Sequence, residues 1–416
     1  MPLNFPVNRR RVIRALSASV LLTGTMLAGT VAAAESTLTF FSWDNEQTMG
    51  PVIDAFEAAH PDITIDFSNA PPVSEYIQTL QTRLLANTAA DVFIIAAENK
   101  TSLINGGFVV DLSGYDFANV MNPVNRNAYG VDGKAYGLSL ASWGGGILYN
   151  RALTDSVGMT TPPASWDEFL ALCQKLKDAG VTPYYDGLQS GNLMPFYAQV
   201  GLALSKAGDN VDTAIFSGQD TFEARWTEPL SLYLRLYDEG LIGKEALGLS
   251  DDLIVNEFAM GNVAMMGAGP WNLGTIRGIN PEIDINFMAV PGPNAGESFL
   301  TGAPSPGYAI NAGTQNLAAA EAFLAFLASP EGVALYHKSS GAITTTTNFT
   351  PELDPALEAI YAGITAEHIY LPMTSWPRAQ DALRTEMVAK IQEMVAGSIE
   401  PVDVARALDL VLANSQ

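Results

Sequence analysis

The sequence predicts an α/β protein of two lobes with a ligand cleft between them. Three observations predict this class: strands and amphipathic helices alternate after residue 35, one strand is a continuous apolar run, and the chain has 416 residues. Alternating strands and helices favour a parallel sheet with right-handed crossovers, and a chain of this length usually divides into two cores. The carboxyl ends of strands in two facing lobes would then meet at one cleft.

The first elements form the alternating layer. Ser36–Ser42 is rich in strand formers, Ile63–Phe67 alternates apolar and polar residues, and Asp91–Ala96 is an apolar run typical of a buried parallel strand. Helices are predicted between these strands, around residues 52–59 and 73–86, because apolar residues recur there at helical spacing.

The middle of the chain is predicted to be mainly helical. Two short strands, 135–140 and 146–149, are expected around Trp143 and a glycine triplet. Ser165 and Glu168 form a capping box that begins a helix. Further helices are expected at about 193–205, 226–239, 250–260, 315–328, 330–338, 354–363, 377–396 and 401–413. Strands are expected at 262–267, 283–289 and 308–310, with a Pro- and Gly-rich loop over 291–307.

Residues 1–34 are predicted to be a signal peptide that is cleaved after Ala34. A basic segment, Asn8–Arg14, precedes the apolar segment Ala15–Val31, and Ala32–Ala34 supplies a small-residue cleavage site. The apolar segment is short and interrupted by polar residues, whereas a membrane span needs about 20 mostly apolar residues. We expect export to the periplasm by the Sec or the twin-arginine route. No cysteine stands at the cleavage site after the apolar segment, so no lipid anchor is expected there.

Charge and cysteine content exclude several kinds of partner. The chain has 21 Lys and Arg against 44 Asp and Glu, a net charge of −23, which disfavours nucleic acid and anionic membranes. The single cysteine, Cys173, is spaced with Phe169 and Leu176 as on one buried helix face. One cysteine allows neither an intramolecular disulfide nor a cysteine metal cluster. We expect a monomer with no metal and no cofactor.

Aromatic and polar residues stand together where strands are predicted to end. A sugar offers C–H faces, which aromatic rings cover, and hydroxyls, which carboxylates and amides bind. Trp376 and Arg378 show the same juxtaposition late in the chain. Trp166 and Trp226 are expected to pack in the core, whereas Trp43 and Trp143 are compatible with either role. The candidate ligand-binding residues are Trp43, Asp44, Asn45, Glu46, Glu98, Trp143, Trp271, Asn272, Tyr308, Trp376 and Arg378.

The chain resembles a known family over most of its length. The most specific stretch is Phe258–Gly267 followed by Gly269-Pro-Trp271, read as a helix, a glycine turn, a strand and a tryptophan. Supporting stretches are Asp132–Gly137, Leu148–Asn150, Thr161–Glu168, Ala319–Leu327 and Ser329–Glu331. These motifs resemble the extracellular solute-binding proteins of ABC importers, in the branch that contains maltose-binding protein. That branch often has a lysine near the first loop, where this chain has Asn45 and Glu46.

The resemblance implies a type II-like periplasmic-binding-protein fold and no enzymatic activity. It implies an N-terminal lobe of 35–141 plus 303–343 and a C-terminal lobe of 142–302 plus 344–416. Trp271 and Trp376 would stack on a sugar, and Asp44 and Asn45 would make polar contacts. The implied function is high-affinity sugar binding by hinge closure. The implied partners are the membrane permease subunits of an ABC importer with their ATPase.

Two alternatives remain open from the residues. A carbohydrate-active enzyme needs two carboxylates at a set separation, which the sequence does not reveal. A binding protein of the same fold for iron or polyamine is the other. Tyr184 and Tyr185 are compatible with ferric iron, although packing in a strand is favoured for them. The acidic residues 44 and 46 are compatible with a polyamine.

Overall fold

The computed structural model describes residues 36–70, 73–208 and 211–415, so the predicted signal peptide lies outside the described residues. The strands are β1 Ser36–Ser42, β2 Ile63–Asn69, β3 Val92–Ile95, β4 Gly130–Val131, β5 Lys134–Ala135, β6 Ala141–Asn150, β7 Thr182–Tyr185, β8 Val263–Ala268, β9 Ile285–Met288, β10 Val290–Pro291, β11 Ser298–Pro304, β12 Gly307–Ile310, β13 Ile343–Thr344 and β14 Ile369–Tyr370. The N-terminal helices are α1 Glu46–Ala59, α2 Val73–Leu85, α3 Lys100–Asn105 and α4 Pro123–Ala128. The remaining helices are α5 Arg151–Ser156, α6 Trp166–Asp178, α7 Met194–Ala207, α8 Val211–Phe216, α9 Phe222–Asp238, α10 Asp251–Ala259, α11 Leu273–Ile279, α12 Leu317–Leu327, α13 Pro330–Ser340, α14 Glu358–Thr365, α15 Pro372–Ser375, α16 Gln380–Val395 and α17 Pro401–Asn414.

The N-terminal lobe is built on a four-stranded sheet with the order β12-β3-β1-β2. Strands β3, β1 and β2 are parallel, and β12 returns antiparallel from a later part of the chain. Helices α1, α12 and α13 cover the sheet through an aromatic cluster in which Phe40 and Phe56 meet Phe323 edge-on. The predicted strand and helix alternation is therefore confirmed. Each side chain buried in this cluster stabilises the fold by ~1.5–3 kcal/mol.

The C-terminal lobe is organised around the ten-residue strand β6. Its first half pairs with β11 and β13, and its second half pairs with β8 and β9. The prediction of separate short strands at 135–140 and 146–149 is wrong here, because the second is part of β6, which runs unbroken through Gly144–Gly146. The glycines instead permit close packing: a Cβ on Gly144 would press against Ile360, and one on Gly145 would press against Met194.

The region predicted as a loop over 291–307 contains a strand. The ends of the region are rich in proline and glycine, which favours a loop. Its interior, Ser298–Ala303, has no proline and forms most of the strand. The segment is β11, and it pairs with β6 from Thr301 opposite Gly145 to Pro304 opposite Ser142. The pairing satisfies the backbone groups of a segment that is buried from Phe299 to Ala303.

Three chain segments connect the lobes, and they meet at Ser142. Pro304 of β11 and Ile343 of β13 are both opposite Ser142 in the ladder. The buried side chain of Asn125 ties the segments together: its Nδ2 donates to the Ala141 carbonyl at 2.5 Å. Its Oδ1 accepts from Ser142 Oγ and Thr345 Oγ1, each at 3.1 Å. The segments therefore cross as one hydrogen-bonded bundle.

The buried side chains divide between the lobes. One cluster contains residues between Leu38 and Ala141 and between Tyr308 and Tyr336, and the clusters of the other lobe lie between Ile147 and Leu412. The expectation that Trp166, Trp226 and Cys173 are core residues is confirmed, since all three are fully buried. The lobe limits predicted at 141/142, 302/303 and 343/344 stay a prediction.

Within the described part of the chain, no single helix has the length and apolar composition of a membrane span. The consecutive helices α12 and α13, bent by 70° relative to one another, meet that criterion only when taken together.

Candidate functional site

A cavity of about 740 Å³ lies between the two lobes, beside the crossing segments. The N-terminal lobe contributes Trp43, Asp44, Glu98, Tyr129 and Tyr336, and the C-terminal lobe contributes Trp143, Asn192, Met194, Pro270, Trp271, Leu371 and Thr374. The volume falls in the range of ~300–1,000 Å³ typical of small-molecule sites. The cavity is the candidate functional site.

Trp271 reaches the cavity because of the turn that follows β8. Pro270–Asn272 forms a short 3-10 turn, and Asn272 Oδ1 accepts from the Gly269 backbone N–H at 3.1 Å. The indole lies directly over Gly269, where any Cβ would collide with the ring. Glycine is therefore required at 269 for the ring to occupy this position. The ring is 52% exposed, which leaves apolar surface for a ligand.

Trp143 forms the second aromatic surface of the C-terminal lobe. It stands on β6 opposite Ala303, and its ring meets Trp271 edge-to-face with centroids 5.6 Å apart. Edge-to-face pairs of this kind add ~0.5–1.5 kcal/mol beyond burial of their area. Trp143 thus packs against Trp271 from the central strand of the lobe.

The N-terminal lobe presents a tryptophan and a carboxylate at the end of β1. Trp43 is half-buried and packs edge-on against Tyr76, with centroids 5.3 Å apart. Asp44 is also half-buried, and its backbone N–H donates to Ser42 Oγ at 2.9 Å. Burial raises the pKa of the Asp44 carboxyl, and the hydrogen bond from Ser42 offsets part of this increase. Asp44 is thus a desolvated acceptor in the cleft.

Glu98 follows β3, the neighbour of β1 in the sheet, and also lines the cavity. Loss of solvation between the lobes raises its pKa, and the negative charge of Asp381 adds to the increase, whereas Arg384 opposes it. The parallel pairing of β1 and β3 explains why Asp44 and Glu98 emerge at the same sheet edge. The N-terminal wall therefore carries two carboxylates.

Lys100 joins the two lobes directly. Its Nζ donates to the carbonyl of Ala128 in the N-terminal lobe at 3.0 Å and to the carbonyl of Thr374 in the C-terminal lobe at 2.9 Å. Burial lowers the pKa of the Lys100 amine. All ion pairs found among the described residues lie within one lobe. Lys100 is thus a charged contact between the lobes that lies outside the crossing segments.

The groups around the cavity suit a polyhydroxylated ligand. Three half-exposed indoles supply apolar faces, and two carboxylates and the Asn192 amide supply hydrogen-bonding groups. Among the described lining residues there is no lysine, arginine or histidine. In the same described ranges, no three His, Cys, Asp or Glu side chains are grouped as they would be to hold a metal ion.

Comparison with known proteins identifies the family. Residues 43–334 match the sequence profile described as bacterial extracellular solute-binding protein. The chain belongs to this family. Its members are solute-binding proteins rather than enzymes, and the family designation is extracellular, which indicates an exported protein.

Two curated relatives and one solved structure are similar to this solute-binding protein. The multiple sugar-binding protein of Streptococcus mutans is 25% identical over 73% of this chain and 74% of its own length. The melibiose/raffinose/stachyose-binding protein MelE of Bacillus subtilis is 23% identical over 90% of this chain and 89% of its own. A family 1 extracellular solute-binding protein from Bifidobacterium longum subsp. infantis superimposes with a TM-score of 0.81 at 28% identity, covering 92% of this chain and all of the other. The two-lobed α/β fold predicted from the sequence is therefore confirmed.

Five of the residues proposed from the sequence line the cavity of this solute-binding protein: Trp43, Asp44, Glu98, Trp143 and Trp271. A sixth, Asn272, lies in a narrow crevice next to Trp271. Their contact with a ligand stays a prediction.

The expectation that Trp376 stacks on a ligand is wrong for this structure. Its side chain has no exposed surface and packs with Phe216, Phe222 and Trp226 in the core of the C-terminal lobe. Arg378 is turned away with it. The Arg378 Nη1 donates to the Phe216 carbonyl at 3.0 Å, and the guanidinium lies over the Phe216 ring. The segment reaches the cavity through Leu371 and Thr374 instead.

Three other proposed residues do not line the cavity either. Asn45 is the N-cap of α1 and accepts from the Thr48 N–H at 3.0 Å, so its side chain serves the helix. Glu46 is the exposed first residue of that helix, where a negative charge complements the helix dipole. Tyr308 is 3% exposed and packs against Phe40 and Tyr336 inside the N-terminal lobe.

Sequence reasoning missed several lining residues, among them Tyr129, Asn192, Met194 and Tyr336. A signal for Asn192 and Met194 was present. Strand β7 is parallel to β8, with Tyr185 opposite Met266, so the segment that follows β7 emerges beside the turn that carries Trp271. Tyr129 and Tyr336 lie within helical or loop segments of the N-terminal lobe and carry no comparable pattern. The interpretation of Tyr184 and Tyr185 as packing residues is confirmed, since both pack against the core cluster of the C-terminal lobe and Tyr184 is fully buried.

Proposed function

We propose that this protein binds an uncharged mono- or oligosaccharide in the cleft between its lobes. The observation that carries the proposal is the meeting of Trp43, Trp143 and Trp271 with Asp44 and Glu98 around one cavity. Indoles cover the C–H faces of a sugar ring, and the carboxylates accept from its hydroxyls. Relatives named as sugar-binding proteins support the same ligand class.

We further propose that the ligand is retained by closure of the lobes. Contacts from both lobes to one ligand favour the closed state by the differential affinity that they provide. The segments that cross at Ser142 would form the hinge, and Lys100 would hold the lobes together once they meet. The limits proposed for the lobes are 35–141 plus 303–343 and 142–302 plus 344–416.

The cellular role that follows is delivery of the sugar to an importer. The chain would be exported, processed after Ala34 and free of a lipid anchor in the periplasm. As a monomer, it would bind its ligand with high affinity. The closed form would then be recognised by the membrane permease subunits of an ABC transporter whose ATPase drives import.

A thermal-shift screen of the exported chain over mono- and oligosaccharides tests the proposal. A ligand that binds only the folded state at 100 times its Kd stabilises it by about 2.7 kcal/mol, which raises the melting temperature by several degrees. Calorimetry on each hit gives the affinity. If no sugar raises the melting temperature, the proposal is contradicted. Release of shorter saccharides during incubation would instead indicate an enzyme.

A polyamine is a second candidate, because the N-terminal wall is acidic and the described lining residues include no basic side chain. Calorimetry with putrescine, run beside the best sugar, separates the two. We expect putrescine to bind more weakly than the best sugar, since its narrow chain covers less of the three indole faces than sugar rings do. Tight binding of putrescine with no sugar hit would replace the sugar proposal.

A further inference from the structure

A narrow crevice of about 30 Å³ opens beside Trp271, next to the main cavity. The crevice and the cavity share Asn192, Met194 and Trp271 as lining residues. A ring stacked on Trp271 would therefore be adjacent to the mouth of the crevice.

The crevice is large enough for a small substituent and too small for a second ring. A void of roughly 10–15 Å³ holds one water, so this volume suits a group of about two heavy atoms. Ile254, Val255 and Met266 form a buried apolar wall. That wall favours a carbon atom in the part of the substituent that it contacts.

The polar side of the crevice includes the side chains of Asp251, Asn192 and Asn272. Asp251 is already engaged, since its Oδ1 accepts from Ser190 Oγ at 2.8 Å and its Oδ2 accepts from Asn192 Nδ2 at 2.5 Å. Asn272 Oδ1 accepts from the Gly269 N–H. Within the described ranges, Asn192 Oδ1 and Asn272 Nδ2 have no protein partner. One acceptor and one donor match a single hydroxyl, which both donates and accepts.

We propose that the crevice receives the exocyclic hydroxymethyl group of a hexosyl ring that stacks on Trp271. Its CH₂ would lie against the apolar wall, and its hydroxyl would donate to Asn192 Oδ1 and accept from Asn272 Nδ2. The protein therefore selects hexosyl over pentosyl ligands. This inference rests on the proposed sugar-binding function and specifies its ligand class.

The same geometry disfavours uronic acids. A uronate carries a carboxylate where a hexose carries the hydroxymethyl group. That carboxylate cannot donate to Asn192 Oδ1, and it would approach the negative charge of Asp251. Sugars that differ only at this carbon therefore form a direct test.

The experiment compares matched sugars by calorimetry on the full mature chain. The pairs are D-glucose with D-xylose, D-galactose with L-arabinose, and cellobiose with xylobiose, and glucuronate serves as the charged counterpart of glucose. For the pair that binds, we expect the hexose to be preferred by roughly 10- to 200-fold, the discrimination typical of one small group in a fitted pocket. Glucuronate is expected to bind no better than the pentose.

Two variants locate the preference in the crevice. Val255→Leu adds a methylene to the apolar wall, and Asn272→Asp keeps the acceptor for Gly269 while removing the donor. Each is expected to weaken hexose binding at least tenfold and to weaken it more than pentose binding, so the ratio of hexose to pentose affinity falls toward one. Leu253→Val on the exposed face of the same helix is the matched control and should leave the preference unchanged. Melting temperatures verify that each variant is folded.

The outcomes separate this inference from the proposed function. Equal binding of both members of a pair overturns the inference and leaves sugar binding intact. A preference that persists in both crevice variants also overturns it, because the discriminating contact would then lie elsewhere. Failure of every sugar to bind the unmodified protein contradicts the proposed function and the inference together.

Discussion

The six tryptophans fall into two groups of three with opposite surroundings. Trp43, Trp143 and Trp271 line the cleft and keep part of their surface exposed. Trp166, Trp226 and Trp376 have no exposed surface and fill the core of the C-terminal lobe. Residue type alone therefore carries no information about role in this chain. The difference arises from what covers each ring.

In each group, the local structure explains whether other side chains bury the indole ring. The cleft indoles stand at or near strand termini that open onto the cavity, so each ring keeps part of its surface uncovered. Trp271 in addition lies against a glycine that leaves room for it. Trp226 is placed on α9, and Trp376 follows α15, and three further aromatic contacts close over the Trp376 ring. Two predictions test this division, and two more test the polar groups that act beside the cleft indoles.

The largest effect is expected from Trp376→Ala. Removing a fully buried indole should lower the free energy of unfolding by about 3–5 kcal/mol. Sugar affinity, measured on the folded fraction at low temperature, should remain within about twofold. Chemical denaturation and calorimetry provide the two values, and Trp376→Phe is expected to recover part of the stability. Loss of sugar affinity with an unchanged free energy of unfolding would show that Trp376 contacts the ligand and is not a core residue.

Trp271→Ala should show the opposite pattern. We expect affinity to fall by about 2 kcal/mol, or roughly 30-fold, because the stacking face is removed. The free energy of unfolding should change by only about 0.5–1.5 kcal/mol, the value of the lost contact with Trp143, because the ring is otherwise half exposed. The control is Leu253→Ala, which removes an exposed side chain that does not line the cavity. Retained affinity in Trp271→Ala would contradict the assignment of the cleft.

Lys100→Met tests whether the lobes need a polar contact in addition to the indoles. A hydrogen bond from a charged donor contributes ~1.5–3 kcal/mol before the cost of desolvating the amine, so we expect a net shift of about 1 kcal/mol toward the open form. Spin labels on Leu85→Cys and Leu410→Cys would report the distance between the lobes. Both positions are exposed, whereas burial raises the pKa of the Cys173 thiol and keeps it unreactive. An unchanged distance distribution would show that Lys100 does not hold the lobes together.

The smallest effect concerns pH and Glu98. Because its pKa is raised, Glu98 takes up a proton at a higher pH than an ordinary glutamate. A sugar hydroxyl donates to the charged form, so affinity is complete above the raised pKa and falls as the pH drops through it. Once Glu98 is fully protonated, we expect affinity to be about two- to fivefold lower than at pH 7. Glu98→Gln should have a shallower profile that retains only the part due to Asp44, and an unchanged profile would contradict the role of Glu98.

Much of the fold follows from local pattern. The strands 36–42 and 263–268, the capped helix that begins at Trp166 and most later helices match spacing and capping signals in the chain. The errors occurred where glycine and proline served long-range packing. Gly144–Gly146 lies within one strand, where the absence of side chains lets neighbouring residues pack closely against the backbone. Strand β11 lies between two segments that are rich in proline and glycine. The residues that pack on these glycines and the strand that pairs with β11 are distant in sequence, so short sequence patterns do not reveal them.

The site was predictable only in part, for a related reason. Strand-end position correctly brought Trp43, Asp44, Glu98, Trp143 and Trp271 to one cavity. It did not distinguish Asn45, which caps a helix, from Asp44 beside it. Resemblance placed Trp376 at the ligand, although its ring faces the aromatic cluster of α8 and α9. Side-chain direction at a given position depends on packing partners that are remote in sequence.

Strand β6 begins at the crossing point of the lobes, passes Trp143 through the cavity wall and ends at the centre of the C-terminal sheet. One continuous strand thus joins the crossing point of the lobes, a stacking surface of the cavity and the centre of the C-terminal sheet. Substitutions in β6 would alter the closure of the lobes and the fit of the ligand together. Changes of ligand preference in related sequences should therefore accumulate in the turns after β1, β7 and β8, which can vary without disturbing that motion.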